Sequence, residues 1–166
     1  MLEEEVVALF EQLRSPLLRY LLSFGVSIAD AEEIVQEVFL ALFKHLQRGG
    51  SRANLHGWIF KVAHNLGLKN RAKARYQFHS ALDAEPCESS PDPEERLADL
   101  QRQDRLLAVV KALPELDQCC LTLRAEGLRY REIAEALGIS LGAVANSLEK
   151  SLSRLSRAEE TKRSYA

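Results

Sequence analysis

The chain has 166 residues, of which 46% are hydrophobic and 28% charged, and its formal net charge is −2. This composition is ordinary for a soluble globular protein, and the length allows one ordinary domain or two small ones. The start of the chain lacks the basic segment of a signal peptide, and no apolar run approaches the roughly 18 residues that span a bilayer. We therefore expect a cytoplasmic protein without membrane insertion.

Charge is segregated along the chain, although the total is close to zero. Residues 1–50 hold eight acids and four bases, whereas residues 51–79 hold six bases and no acid. Residues 80–100 reverse this balance with seven acids and one base, and residues 129–166 hold seven bases and five acids. Such blocks indicate that different parts of the chain face different partners.

The first half of the chain shows helical periodicity and almost no strand signal. One helix is predicted from about Glu3 to Arg14. Ser15 and Pro16 read as an N-cap followed by proline at the first helical position, so a second helix is expected to begin there and to end near Gly25.

Two further helices are predicted before residue 77. Asp30, with Glu33 three residues later, forms a capping-box pattern at the start of a third helix, which Gly49-Gly50 should end. A fourth helix is expected from about Leu55 to Tyr76, with a basic C-terminal half. Trp58 falls on its apolar face, which favours a place in the core, although stacking on a nucleobase is the alternative.

A change of composition divides the chain in two. The segment around 78–92 is rich in acids, Ser and Pro and reads as a flexible acidic linker, which could reach about 50 Å when extended. Asp92-Pro93 followed by two glutamates predicts the start of a new helix. The expected fold class is therefore all-α, with two small helical domains at 1–77 and 93–166 and the linker at 78–92.

The most specific local pattern lies in residues 129–155. Ile133 and Leu137 point one helix into a core, Gly138 permits a left-handed turn, and Ser140 can cap the next helix. This pattern predicts a helix-turn-helix, whose second helix enters the DNA major groove. The expected buried stripe of that second helix consists of Leu141, Val144, Leu148, Leu152 and Leu155.

The opposite face of this second helix is expected to meet DNA. Basic side chains there suit phosphate contacts, whereas Asn146 and Ser147 could reach base edges. With the cap residue, the candidate residues are Ser140, Ala143, Asn146, Ser147, Lys150, Arg154 and Arg157. The alternative is a helical hairpin whose polar face is merely solvated.

The cysteines and histidines do not form a pattern of catalysis or metal binding. Cys119 and Cys120 are expected in the core, and Cys87 lies in the polar linker, where it could be a reactive thiol. His56 and His64 have no carboxylate nearby in sequence, and no phosphate loop or nucleophile elbow is found. We predict no metal site, no cofactor and no enzymatic activity.

Three segments, in order, resemble the extracytoplasmic-function (group IV) members of the sigma-70 family of RNA polymerase sigma factors. DAEEIVQEVFLALFKHL (30–46) resembles their polymerase-binding helix, and NLHGWIFKVAHNLGLKNRAKAR (54–75) resembles the helix that engages the −10 promoter element. LPELDQCCLTLRAEGLRYREIAEALGISLGAVANSL (113–148) resembles the −35-binding domain. The resemblance implies a transcription initiation factor that directs core RNA polymerase to promoters.

The resemblance also implies roles for particular residues. The polymerase-contact positions are Asp30, Glu33, Gln36 and Glu37. The residues expected to bind the melted −10 strand are Lys61, His64, Asn65, Lys69, Arg71, Lys73 and Arg75. The loop from Gln47 to Asn54 lies where the family holds a flipped base. The linker acids either imitate nucleic acid in the polymerase or form a solvated spacer, and the family implies an anti-sigma factor as a further partner.

This chain departs from the family mainly in its recognition helix. Many relatives carry a base where this chain has Ala145 or Ser147, often His or Tyr at Glu149, and often Asp at Asn70. Fewer phosphate contacts predict weak −35 binding with a shallow salt dependence. This charge-poor helix keeps open the alternative of a degenerate sigma-like protein that reads promoters poorly. A stand-alone helix-turn-helix regulator is a second alternative, because it would explain residues 129–157.

Overall fold

The computed structural model describes residues 1–77 and 95–163, and within these ranges all regular structure is α-helical, as predicted. The helices are α1 (Leu2–Ser23), α2 (Ile28–Gln47), α3 (Leu55–Gln77), α4 (Glu95–Ala112), α5 (Glu115–Ala125), α6 (Tyr130–Leu137) and α7 (Leu141–Arg163). The predicted linker 78–92, with Cys87 and the Asp92-Pro93 helix start, lies outside the described residues. The proposed domain bounds therefore stay predictions.

Helix α1 is continuous where two helices were predicted. It runs from Leu2 to Ser23 with Pro16 inside it, so the expected break at Ser15-Pro16 is wrong. Proline there removes the backbone N–H that would donate to the carbonyl four residues earlier. The apolar side chains of Leu13, Leu17 and Leu21 on either side are buried, and their burial holds both halves of the helix in line.

Helix α2 begins three residues earlier than predicted. Its N-cap is Ser27, whose hydroxyl accepts a hydrogen bond from the Asp30 backbone N–H at 3.3 Å. Asp30 therefore lies in the first turn, and the capping box that was predicted from Asp30 is wrong. The C-terminal end of α2 agrees with the prediction: the helix ends at Gln47, and Gly49 adopts a left-handed φ of 76° just after it.

Helices α1, α2 and α3 form the first helical group. The inner side of α2 is apolar along its length, and the buried residues are Ala31, Ile34, Val35, Val38, Phe39, Leu42 and Leu46. They pack with Leu17, Ile59 and Phe60 from the other two helices. Trp58 is half-buried and stacks on His45 with ring centroids 4.7 Å apart, which agrees with a structural place for it.

Helices α4 to α7 form the second helical group, which contains the helix-turn-helix. Gly138 ends α6 with a left-handed φ of 66°, and the Ser140 hydroxyl accepts a hydrogen bond from the Ala143 N–H at 3.1 Å at the start of α7. The left-handed turn at Gly138 and the N-cap at Ser140 were both predicted, because each depends on the residue type at that one position. Cys119 and Cys120 are buried in α5, as expected.

The buried stripe of α7 differs from the prediction. Val144 and Leu148 are buried, but Leu141 is 51% exposed and Leu152 is 53% exposed. Two serines that were not expected in this stripe, Ser147 and Ser151, are buried as well. The helix is therefore turned so that two small polar side chains are buried, and the hydroxyl of one of them, Ser147, bonds to Asp117 of α5.

The two helical groups are in direct contact. Helix α6 lies against α3, α5 touches α1, and the buried side chains of both groups join in a continuous core. Among the helices described, none combines the length and the hydropathy of a membrane-spanning segment. This arrangement sets the position of every candidate site residue described below.

Candidate nucleic-acid interface

The outward face of α2 is polar and available for a partner. Glu33, Gln36 and Glu37 are exposed, and Asp30 is half-buried in the first turn. Their positions follow from the helical period, since the apolar stripe of α2 faces α1 and α3. The four residues predicted to contact polymerase thus lie on one side of one helix.

Leu40 belongs to the same surface, and the sequence analysis did not identify it. This side chain is 61% exposed, one turn after Gln36 and Glu37. The signal was present in the sequence, because Leu40 falls opposite the stripe formed by Val35, Val38 and Leu42. An exposed leucine among charged residues resembles the apolar centre of a protein interface.

Four of the predicted −10 residues line one face of α3. Lys61, Asn65, Lys69 and Lys73 recur every four residues and are all exposed. They form a stripe of three cations and one amide that is free of acids on its own helix. The side chain of Arg75, a fifth candidate, lies outside the description.

His64 and Arg71 face the interior of the molecule instead. The Tyr20 hydroxyl lies 2.6 Å from Nδ1 of His64, and the Arg71 guanidinium lies 4.6 Å from the centre of the Phe24 ring and bonds to Glu115. Burial raises the pKa of Tyr20, so its phenol stays protonated, and burial lowers the pKa of His64. A neutral His64 that faces Tyr20 does not supply the cation that was predicted there.

An open cavity of about 400 Å³ lies beside the loop that was predicted to hold a flipped base. Its lining includes Lys44, His45 and Arg48, with Gly49 and Gly50 at one edge. His45 is fixed by its stack on Trp58 and by a 3.1 Å contact between Nε2 and the Ser51 carbonyl. The cavity thus combines two cations with an immobilised aromatic ring.

The loop ends at Asn54, whose backbone is left-handed and whose side chain makes two hydrogen bonds. Its φ is 56°, unusual for a residue other than glycine, and its side-chain oxygen accepts a hydrogen bond from the Gly57 N–H at 3.3 Å. The amide nitrogen donates to Glu135 of α6. Asn54 therefore begins α3 and at the same time contacts the second helical group.

Helix α7 presents the predicted DNA-binding face with one exception. Asn146, Lys150, Arg154 and Arg157 are exposed, and Ala143 is half-buried. Ser147 is only 5% exposed and donates to Oδ1 of Asp117 at 2.5 Å, so its predicted place on the DNA face is wrong. Ser147 is buried because α7 is rotated about its axis relative to the predicted orientation, and the same rotation exposes Leu141 and Leu152.

Comparison with known proteins agrees with this geometry. Residues 9–76 match the family model of sigma-70 region 2, and residues 103–155 match that of sigma-70 region 4. The first range contains the polar face of α2 and most of α3, and the second contains the helix-turn-helix. Fold and site together define a two-part, helical transcription factor.

Relatives and a solved structure extend the comparison. The chain is 31% identical over 147 residues to the ECF RNA polymerase sigma factor SigL of Mycobacterium tuberculosis, covering 85% of this chain and 81% of SigL. It is 30% identical over 131 residues to SigE of Mycolicibacterium smegmatis, with 76% of this chain but half of SigE covered. The sigma factor RpoE of Bartonella quintana, solved with the anti-sigma factor NepR, superposes with a TM-score of 0.66 at 19% identity, over 95% and 98% of the two chains.

The chain therefore belongs to the extracytoplasmic-function sigma factors of the sigma-70 family. It is an RNA polymerase sigma factor, a class of proteins that acts in transcription initiation.

Proposed function

We propose that the outward face of α2 binds core RNA polymerase. The observation that carries this proposal is the exposure of Glu33, Gln36 and Glu37 around the exposed Leu40 on one rigid helix. Such a surface supplies an apolar anchor with charged and amide groups that can pair with a basic partner. The opposite side of α2 is buried, so the helix is firmly held.

Gel filtration with purified core polymerase tests this surface. The wild type should co-elute with polymerase, whereas Gln36→Ala/Glu37→Ala and Leu40→Ala should each bind about ten-fold more weakly or worse, the usual effect of removing interface anchors. Leu22→Ala is the matched control, because Leu22 is an exposed leucine on α1. A folded wild type that never co-elutes would instead favour a stand-alone DNA-binding regulator.

We further propose that α3 and its preceding loop bind the melted −10 strand. The stripe of Lys61, Asn65, Lys69 and Lys73 suits a phosphate backbone, with Asn65 facing the exposed bases. The open depression beside Lys44 and Arg48 places two cations next to the ring of His45, a combination that suits an unpaired nucleotide. Binding of an unpaired strand shifts the promoter towards its open state, so no bond-making step is required of this protein.

Helix α7 is proposed to read the −35 element in the major groove. Asn146 is the candidate for base contacts, and Lys150, Arg154 and Arg157 are candidates for phosphate contacts. Ser140 and Ala143 stand at the N-terminal end of α7, the end that enters the groove in helix-turn-helix proteins. Ser147 is left out of this surface because its hydroxyl is bound to Asp117.

A protein inhibitor is proposed as a second partner. The support is the complex of the structurally similar RpoE with the anti-sigma factor NepR, which shows that this fold can accommodate such a partner. We also propose domain bounds of 1–77 and 93–166, which leave the acidic linker between the two matched regions. Because its polymerase and promoters are cytoplasmic, we place the protein in the cytoplasm.

A further inference from the structure

The loop between α2 and α3 contains two adjacent glycines, and its shape depends on contacts made by their neighbours. Gly49 has a left-handed φ of 76°, and both Gly49 and Gly50 lie at the edge of the cavity beside Lys44 and Arg48. Glycine loses more conformational freedom on folding than any other residue, and it has no side chain to hold it in place. The position of this cavity edge is therefore set by residues that flank the two glycines.

The first of these contacts is made by the ring of His45. It stacks on Trp58 with ring centroids 4.7 Å apart, and Nε2 lies 3.1 Å from the Ser51 carbonyl oxygen. Because a carbonyl oxygen only accepts hydrogen bonds, Nε2 is the donor. Gly50 packs directly on the same ring, since a β-carbon at this position would lie 2.5 Å from each ring nitrogen. The ring therefore fixes the loop at residues 50 and 51.

The second contact comes from α1, a helix that has no part in the proposed binding of DNA. Nε and Nη2 of Arg52 donate to the two carboxylate oxygens of Glu5, at 3.3 and 3.1 Å. A bidentate arginine–carboxylate pair fixes orientation as well as distance. This pair ties the middle of the loop to a residue 47 positions earlier in the sequence.

The N-terminal end of α1 is held firmly enough to anchor the loop. Phe10 packs edge to face on Phe39 of α2 with ring centroids 5.1 Å apart, and Val6 packs against the apolar core. Glu5 lies in the first turn of α1, where the positive end of the helix dipole stabilises its carboxylate. Glu5 thus offers Arg52 an anion in a fixed position.

Glu5 also determines which cations face the cavity. Lys44 and Arg48 line it, whereas the guanidinium of Arg52 is directed to Glu5. Without Glu5, Arg52 would be free to pair with a phosphate, and this attraction is the same for every base. A released loop and a released cation would both favour binding that ignores the identity of the base.

From these contacts we propose that Glu5 is a positioning residue that determines base preference in the −10 strand. It holds Arg52, and through Arg52 it keeps Gly49 and Gly50 in the shape that accepts one base in preference to the others. This inference rests on the proposed −10 function of α3 and its preceding loop, and it adds the first turn of α1 to promoter recognition. Because the side chains of Glu5 and Arg52 are 36% and 56% exposed, the pair contributes little to global stability, and its variants should fold.

Binding of −10 single strands to the full-length protein with core polymerase tests this role. The strands come from a promoter selected with the wild type and carry each of the four bases, or an abasic site, at the position where the wild type discriminates most. The wild type should prefer its best base over the abasic site by about ten-fold. Glu5→Gln and Arg52→Gln should each reduce this preference to about two-fold, because the loop then loses its anchor on α1.

The abasic strand separates a positioning role from a general loss of binding. Glu5→Gln should bind it as tightly as the wild type or up to about three-fold more tightly, because Arg52 is then free to meet a phosphate. Arg52→Gln should leave this affinity within about two-fold of the wild type. The charge swap Glu5→Arg/Arg52→Glu should return the base preference towards the wild-type value.

Glu4→Gln is the matched control. Glu4 lies in the same turn of α1, but it pairs with the N-terminal amine at 3.0 Å and not with the loop. This variant should keep the base preference of the wild type. An equal loss of preference in Glu4→Gln would show that the charge of α1 acts without the pair, and it would overturn the inference.

The inference and the proposed function fail in different ways. If Glu5→Gln keeps the wild-type base preference, or if the charge swap does not restore a lost preference, the role of Glu5 is overturned while the proposed −10 function stands. A loss confined to Arg52→Gln also overturns it, because Arg52 would then act on the base without Glu5. A wild type that does not bind the strands at all removes the proposed −10 function, and the inference falls with it.

Discussion

The Ser147 hydroxyl donates a hydrogen bond to Oδ1 of Asp117, and this contact joins α7 to α5 inside the second helical group. Its removal leaves a carboxylate without that donor. We therefore expect Ser147→Ala to lower the free energy of unfolding by about 1 kcal/mol, measured by urea denaturation. Affinity for −35 duplex DNA should change by less than about two-fold when folded protein is compared.

Ser153→Ala is the control for this prediction, because Ser153 is an exposed serine on the same helix. It should leave the free energy of unfolding within about 0.5 kcal/mol of the wild type. A stable Ser147→Ala protein with a large loss of DNA affinity would restore the original assignment of Ser147 to the DNA face.

Individual residues were predictable where local backbone chemistry decides their role. Gly138 and Ser140 could be assigned from sequence, since a left-handed turn and an N-cap need those residue types. Ser147 and His64 could not, because a polar side chain in a periodic helix is normally taken as exposed. Both are turned inward by partners distant in sequence, Asp117 for one and Tyr20 for the other.

At the scale of elements, α7 decides how strongly the protein holds duplex DNA. Its DNA face offers three cations, Lys150, Arg154 and Arg157, and the neighbouring Ala145 and Glu149 add none. About three phosphate contacts predict a slope near −3 in a plot of log binding constant against log salt concentration. Fluorescence anisotropy with a −35 duplex, titrated between about 50 and about 200 mM salt, measures this slope.

Lys150→Ala provides the internal check on that slope. Loss of one phosphate contact should make the slope shallower by nearly one unit and weaken binding to all sequences alike. A wild-type slope of about −6 would contradict the prediction and would require cations outside α7 to contact the duplex.

The elements themselves were largely predictable, and their errors have identifiable causes. Strong periodicity located α2, α3 and the helix-turn-helix, because each has a long apolar stripe. The break expected at Pro16 did not occur, since buried leucines on both sides outweigh one lost hydrogen bond. The start of α2 was misplaced because Ser27 and Asp30 are both good N-caps, and only the three-dimensional structure shows which hydroxyl or carboxylate is used.

At the scale of the whole molecule, sequence predicted two helical units but not their contact. The glutamates of α5 and α6 look like ordinary surface charges in the sequence. In the folded chain Glu115 meets Arg71, Glu126 meets Arg19, Glu132 meets His56 and Glu135 meets Asn54, at separations of 44 to 107 positions. Contacts at such separations have no local periodic signal, so only the folded structure reveals that the candidate nucleic-acid face is partly occupied.

The central claim, that this sigma factor directs polymerase to promoters, is tested most directly by transcription. Core polymerase would be supplied with genomic DNA fragments, with and without the purified wild-type protein, and the 5′ ends of the transcripts mapped. We predict discrete new start sites that depend on the protein and disappear with Gln36→Ala/Glu37→Ala. Binding to polymerase without any new start site would contradict the claim and would identify a sigma-like protein that no longer reads promoters.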